Sequence, residues 1–477
     1  MLTRKYINFV LVVSLLGLIQ ACKLPALLQC NSALQMPAQY RSEKDTTNVA
    51  KIQWKQFFKD QNLIALIDTA LKNNQELNII RQEIEIAQNE VRLRRGAYLP
   101  FATIGGVVGV EKTPRYTRFG AVDASTDITE GKKIPEVLPN FMLSANVSWE
   151  VDIWKRLRKA KKSAVLRYLA TIEGRNLAQT KLISEMAHVY YELLALDNYL
   201  EILQQNIEIQ QNALKIINLE KNAGQVTELA VRRFEAEVSK NQSLKYEIQQ
   251  QIVQMENYLN FLAGRFPQPI KRNAKQFFNL PTDSLAVGIP SQLLDNRPDI
   301  RQATLNVEAT KLDVQVARAR FLPALTLTAD MGIAAFNPKY LVTSLESAFI
   351  NVVGGLVAPL VNKSAIKAEY YTASAKQIQA LLQYEQTLLN AFVEVQNQLH
   401  NFKNLAQSYT WKYKQVEAMN RSVNIVVNLF KSARADYVEI LLTQRDALEA
   451  KMELVEIKKR QMNAFVKMYE VLGGGWQ

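Results

Sequence analysis

The chain is poor in the residues that build catalytic, metal-binding and cross-linked sites. Two cysteines, Cys22 and Cys30, in 477 residues exclude a disulfide framework. The two histidines, His188 and His400, lie apart on helical stretches with no cysteine or second histidine at metal-ligand spacing. Each reads as an ordinary helix-surface or interface residue. The ten methionines are dispersed, and Met452, Met462 and Met468 at mixed spacing fit core packing better than a soft-metal relay. The glycine-rich "GGVVGV" from Gly105 precedes no Lys-Ser/Thr pair and helix start, which excludes a phosphate loop and leaves glycine that permits close packing or bending of a strand. Nothing here calls for a catalytic residue, a metal or a cofactor, and the chain does not read as an enzyme.

Helix breakers are also scarce. Gly and Pro number 17 and 14 and concentrate in a few places, so that long helices replace the two or more globular domains this length would ordinarily hold. Apolar runs of membrane-spanning length are missing. The first run, Tyr6 to Leu18 behind Arg4 and Lys5, falls short of the roughly 20 residues that a spanning helix needs, and has the layout of a secretory signal. It stops at "IQAC", which resembles the lipobox of bacterial lipoproteins, where the thiol is acylated and the chain is cut before the cysteine. Residues 1–21 then form a lipoprotein signal peptide and Cys22 the lipid attachment site, followed by an extended segment to residue 53; an ordinary signal cut near Ala21 is the alternative. Cys30 is a free or incidental thiol. The net charge of +13 falls to +11 without residues 1–21. An exported chain with no aromatic-plus-basic cluster argues against nucleic acid as a partner, and the charges read as solvated faces.

What the chain does have is heptads. Leu193, Leu196, Leu200, Leu203, Ile207, Leu214 and Ile217 recur in steps that keep one seam toward a partner helix, and Ile248, Ile252, Met255, Leu259 and Leu262 repeat the pattern. Between them Gly224 is placed to end one helix and Thr227 to cap the next. This predicts a helical hairpin with arms from about Trp154 to Asn222 and from about Val226 to Gly264, the longer reaching roughly 100 Å at 1.5 Å per residue.

Two short regions have period two. "NFMLSANVSWE" sets Phe141, Leu143, Ala145, Val147 and Trp149 against Asn140, Met142, Ser144, Asn146 and Ser148; "ALTLTADM" sets Leu325, Leu327, Ala329 and Met331 against Thr326, Thr328 and Asp330. Such strands suit a transmembrane β-barrel with an apolar outer face, and also a soluble sheet with one face on a core. Partner strands are expected at Phe101 to Lys112 and about Ser347 to Pro359. Four strands cannot close a barrel in lipid, so several copies must share one sheet.

The chain is an internal duplication. "IAQNEVRLRRGAYLPFATIGG" from Ile86 matches "ATKLDVQVARARFLPALTLTA" from Ala309, and the hairpin tips "NLEKNAGQVTEL" and "NLFKSARADYVEI" correspond, with one extra residue in the second. This divides the mature chain into a first repeat at 54–264, a Pro-rich crossing linker at 265–297 and a second repeat at 298–477.

In "WKQFFKDQNLIALIDTALKNNQEL", "SWEVDIWKRLR", "IPSQLLDNRPDIRQA" and the terminal "LGGGW", in that order and spacing, the chain resembles the outer-membrane efflux proteins of TolC type, and within them the lipoprotein branch serving resistance-nodulation-division pumps. The resemblance implies a mainly α fold with a membrane β-barrel portion. Three protomers would each give four strands to a twelve-stranded barrel and long helical hairpins to a periplasmic tunnel. It implies an outer-membrane exit duct of a Gram-negative bacterium, a homotrimer passively conducting small molecules with a periplasmic adaptor and an inner-membrane transporter. A type I protein-secretion channel and a non-channel coiled-coil envelope protein are the alternatives. Two positions depart from the family pattern: Lys155 stands for the usual Gly after the strand-to-helix turn, and Ala433 for a frequent Gly in the second tip.

The tips would form the periplasmic mouth, with Gly224, Glu228, Ala433 and Arg434 meeting the adaptor. Asp436 and Glu439, three apart, are expected on one helical face. The resemblance puts Glu439 on a pore-narrowing acidic position, with Leu442 where the family's second acid stands, so that a threefold ring of Glu439 beside an apolar constriction would set the aperture. A solvated helix-start carboxylate aided by the macrodipole is the other reading of Glu439.

Overall fold

A computed structural model of the chain describes residues 37, 40, 49–280, 288–343, 345–359, 364–432 and 434–476; Cys22, Cys30 and Ala433 lie outside them. The chain divides into two compact units, one built from Ile86–Tyr168 and Leu305–Leu381, the other from Ser32–Glu85, Leu169–Thr304 and Leu382–Gln477. Each unit therefore draws segments from both halves of the sequence.

The first unit is organised by a sheet of four long strands, β1 (Phe101–Glu111), β4 (Leu138–Val151), β5 (Ala324–Ala335) and β6 (Ala348–Val357), antiparallel in the order β1-β4-β5-β6. The two central strands are those with clean alternation in the sequence. The outer two carry Phe101 and Val107 on β1 and Phe349, Val353 and Val357 on β6 on the face that holds the polar row, which blurs their period. Between β1 and β4 the sequence shows no periodic pattern. There the chain forms a helix at Arg118–Ser125 and a small hairpin of β2 (Asp127–Thr129) and β3 (Lys132–Lys133). Thr117 caps that helix by accepting from the Gly120 amide at 3.2 Å, and a Cβ at Gly120 would lie 2.1 Å from the Pro114 carbonyl oxygen. One cap and one steric requirement set elements too short for periodicity to reveal.

The second unit is helical. Its helices include α1 (Gln61–Asn73), and it holds the later parts of α2 (Arg156–Asn222) and α3 (Ser364–Lys431), with their return partners α4 (Glu228–Leu262) and α5 (Tyr437–Val471). Along the α2 seam Leu193, Leu196, Leu203, Ile207 and Ile217 are buried, and Ile248 and Leu259 face them from α4. One polar pair interrupts the seam: Asn241 donates to Gln210 at 2.8 Å with both side chains buried. A buried amide pair of this kind penalises every slipped register, because a slip leaves both groups unpaired.

The largest buried apolar cluster among the described residues includes the place where Trp54, Phe57 and Phe58 meet α2 and α5. Phe57 stacks on Tyr469 with ring centroids 4.0 Å apart, and the Tyr190 hydroxyl donates to Asp60 at 2.8 Å. The crossing segment is tied down rather than packed as a domain. Arg272 is ion-paired with both Asp197 and Glu256, the Asn198 amide donates to the Ala274 carbonyl at 3.1 Å, and Lys458 donates to the Leu280 carbonyl at 2.8 Å. These bonds attach it to α2, α4 and α5.

Candidate functional site

Four places carry the residues singled out by sequence: the faces of the sheet, the turn from strand into helix, the meeting point of the terminal motifs, and the hairpin tips.

Directly opposed residues in an antiparallel sheet share a face. Ile104 faces Ala145, Met331 and Ile350 along one row, and Ala102, Val147, Ala329 and Val352 form the next row on that face. Ile104, Val108, Ile350 and Val352 are each more than two-thirds exposed. On the other face Ser148 opposes Thr328, and Thr103, Asn146, Asp330 and Asn351 form a polar row. One apolar, exposed face and one polar face, with β1 and β6 offering edges unpaired within the described chain, is a surface made for hydrocarbon on one side and water on the other.

The segment "SWEVDIWKRLR" builds the turn after β4. Trp149 donates from its indole to the Tyr98 carbonyl at 3.0 Å and Trp154 to the Pro323 carbonyl at 2.7 Å, so the matched Leu-Pro turns of the two repeats are held by the same segment. Asp152 accepts from the Leu157 and Arg158 amides, both at 2.9 Å, and caps α2. Burial alone would raise its pKa, but these amides and the Arg158 guanidinium hold it below the usual carboxylate range. Arg156 pairs with Glu150 at 2.6 Å. Lys155 has φ 59, the one positive φ at a non-glycine residue among those described. The turn is left-handed there, and the lysine takes the strain.

The terminal motifs meet each other in the helical unit. The Trp476 indole donates to the Asn296 carbonyl at 3.0 Å, Arg301 lies over its ring at 5.0 Å, and Arg297 donates to the Val471 carbonyl at 2.9 Å. Gly473, with φ 90, would bring a Cβ within 2.5 Å of the Asn296 carbonyl oxygen. "LGGGW" and "LLDNRPDIR" are two halves of one structural clasp, and sequence alone gave no sign that they touch.

At the first tip Gly224 has φ 77; its amide bonds Lys221 and the Gln225 amide bonds Glu220, both at 2.9 Å, a Schellman ending. Thr227 takes the N-cap backbone conformation, but its hydroxyl makes no cap bond, a correction to its expected role. Glu228 opens α4 and is held by Lys221 at 2.6 Å and Arg232 at 2.9 Å; the Lys221 bond, foremost, lowers its pKa. At the second tip the Arg434 amide reaches the Leu429 carbonyl at 2.9 Å, and the Arg434 side chain is exposed.

Asp436 does not share a helical face with Glu439. It precedes α5 as the N-cap in an extended conformation (φ −88, ψ 156), its carboxylate accepting from the Tyr437 amide at 2.6 Å, because a cap must leave helical geometry to reach the free amides. Glu439 and Leu442 lie within α5, three apart and exposed, and Glu439 has no ion-pair partner among the described residues. The tips share one small core in which Ile217 and Phe234 pack with Phe430, Tyr437 and Leu441. His188, bonded to Asn463 at 3.0 Å, belongs to helix packing.

A two-faced sheet with open edges, joined in sequence to helices of up to 68 residues, defines a subunit of an outer-membrane channel. A family described as outer membrane efflux protein matches residues 66–265 and 289–474, and the chain belongs to that family. The pyoverdine export outer membrane protein OpmQ of Pseudomonas aeruginosa is 27% identical over 475 residues, 97% of each chain. The solvent efflux pump outer membrane protein SrpC of Pseudomonas putida is 26% identical over 423 residues, 88% of this chain and 87% of that one. The crystal structure of the open state of the MtrE outer membrane channel of Neisseria gonorrhoeae matches with a TM-score of 0.81 at 21% identity, over 95% of this chain and 98% of that one. The protein is an outer-membrane efflux protein of a Gram-negative bacterium.

Proposed function

We propose that three copies of the chain close a twelve-stranded barrel, four strands from each, and a periplasmic tunnel of helical hairpins, forming the passive exit duct of a tripartite pump. The observation that carries this reading is the sheet: 11 residues of β1 and 10 of β6 present edges with no strand partner among the described residues, beside an apolar face. Lipid cannot satisfy such edges, and pairing β6 of one copy with β1 of the next removes them all. Exposed apolar residues on the long helices, among them Ile216, Leu219, Trp411 and Ile425, supply further surface for copies to share. An adaptor meeting Gly224, Glu228, Ala433 and Arg434 would couple the duct to an inner-membrane transporter, and Glu439 with Leu442 would narrow the mouth. Cys22 would carry acyl chains in the outer membrane, an auxiliary anchor beside the barrel. The two sequence repeats and the crossing linker at 265–297 are then two copies of one wall element and the belt between them.

The polar face conducts and performs no chemistry, so cargo is selected upstream; relatives named for pyoverdine and for solvent fit a duct that discriminates weakly. Light scattering of the detergent-solubilised protein should give a trimer, and planar bilayers should give discrete channels. A stable monomer with its sheet formed overturns the reading. Cys22→Ser should lose the lipid yet assemble in part, and mass spectrometry finding an unmodified mature start elsewhere removes the anchor.

A further inference from the structure

The chain carries 58 Lys and Arg against 45 Asp and Glu, yet its four long strands contain no basic residue at all. They hold three acids, Glu111, Glu150 and Asp330. Glu111 ends β1, and Glu150 is neutralised by Arg156 at 2.6 Å. Asp330 alone sits in the middle of a strand, and no Lys or Arg pairs with it among the described residues. Its neighbours along the hydrogen-bonded row are Asn146 on β4 and Asn351 on β6, with Thr103 beyond Asn146 on β1. Asn146 donates its side-chain amide to the Asp330 carboxylate.

We propose that Asp330 is a charge-selecting residue of the membrane segment, favouring small cations and cationic solutes within the barrel, separately from Glu439 at the mouth. This rests on the trimeric barrel proposed above. A carboxylate at mid-strand on the lipid side would be costly, so the polar face that carries it lines the water-filled interior. Twelve strands tilted by about 40° close at a backbone diameter near 24 Å, which leaves three Asp330 carboxylates within about 10 Å of the axis. That distance matches the Debye length of about 10 Å at 0.1 M salt and exceeds the roughly 3 Å at 1 M, so the three charges act on passing ions only at low ionic strength. The Asn146 bond fixes the carboxylate on the sheet without neutralising it.

The test is the reversal potential of the full-length protein in planar bilayers under a KCl gradient. Asp330→Asn should lower the cation-to-anion permeability ratio about twofold or more at 0.1 M salt and little at 1 M. Combining it with Asn146→Asp, which moves the carboxylate to the adjacent strand of the same row, should restore the ratio. Thr328→Lys leaves the Asp330–Asn146 pair intact and sets a cation on the same face, two residues along β5; it should lower the ratio further, and it serves if Asp330→Asn fails to assemble. If either variant conducts with the parent's ratio at 0.1 M, the proposal is overturned. Absence of channels from the parent protein would instead overturn the barrel itself.

Discussion

At the first hairpin tip Glu228 is gripped by Lys221 and Arg232; at the second, the carboxylate in the matching place, Glu439, stands exposed and makes no ion pair among the described residues. The sequences align Lys221 with Lys431 and Glu228 with Glu439, so both tips own a lysine and a glutamate. What separates them is one inserted residue and a helix that opens one position nearer the lysine. In the first tip the helix opens on the glutamate itself, directly after Thr227; in the second it opens at Tyr437, after Asp436 has taken the capping position. The glutamate thereby moves two positions into the helix, a rotation of about 200° around its axis, away from the lysine that its counterpart holds. The residue one turn on is Arg232 in the first helix and Thr443 in the second, so no second cation replaces it. The insertion and the earlier cap at Asp436 together convert a self-satisfied tip into one whose carboxylate is open to whatever lies across from it.

The sharpest way to break this comparison is to remove what the tips have in common. Phe234 is 1% exposed and packs in the core that includes Phe430, Tyr437 and Leu441 of the other tip. Phe234→Ala should cost about 3–5 kcal/mol of local stability, because both hairpins lose a filled core at once. Limited proteolysis should then cut at both tips, near residues 222–228 and 432–437. Cutting at the first tip alone would mean that the tips do not support each other.

The second prediction concerns what the free carboxylate does. Glu439→Gln should reduce the duct's preference for cations and its block by multivalent cations, and Leu442→Ala should raise leak through the resting channel. Glu228→Gln should leave both unchanged. Planar-bilayer recordings of the three variants decide whether the tips differ in function as they do in build; if Glu439 and Leu442 variants match the parent, the gate lies elsewhere.

The sequence made the large elements legible for a plain reason: heptads and two-residue alternation run for many residues and average out local exceptions. The α2 seam and the faces of β4 and β5 are as the pattern foretold. Single-residue roles were less legible. Asp436 and Glu439 have helical spacing, but only the position of the helix start tells that one is a cap and the other a surface residue. Thr227 has the right type for a cap and makes no cap bond. The helix at Arg118–Ser125 depends on one threonine and one steric contact at Gly120. The clasp of Trp476 on Asn296 joins positions 180 residues apart, beyond any periodic signal.

A smaller effect is expected where backbone conformation and residue type agree at one turn and conflict at another. Gly224 has φ 77 with open space around its missing Cβ, so Gly224→Ala should cost about 1 kcal/mol, backbone strain offset in part by the freedom glycine has in the unfolded chain. Lys155 has the same left-handed backbone with a side chain attached. Lys155→Gly should therefore stabilise the strand-to-helix turn by roughly 0.5–1 kcal/mol, less than the strain relieved because glycine also gains freedom in the unfolded chain. Thermal dissociation of the assembled protein should move in opposite directions for the two variants.

The smallest effect should come from the ion pairs of the first tip, and it is the one that acid and salt can remove without mutation. Glu228 is exposed, and Lys221, foremost, depresses its pKa below that of an ordinary glutamate. A carboxylate whose pKa is lower in the folded state contributes stability above its unfolded value, near 4.3, and that contribution is lost as pH falls through the folded value. The hydrogen-exchange protection of residues 221–232, corrected for the intrinsic rate at each pH, should therefore be higher at pH 6 than below the usual glutamate range, where the pairs with Lys221 and Arg232 are lost. Salt should lower that protection in the same way at pH 6, since exposed pairs are screened. In Glu228→Gln both the acid and the salt responses should vanish. If they persist, the difference between the tips lies in their backbone turns and not in their charges.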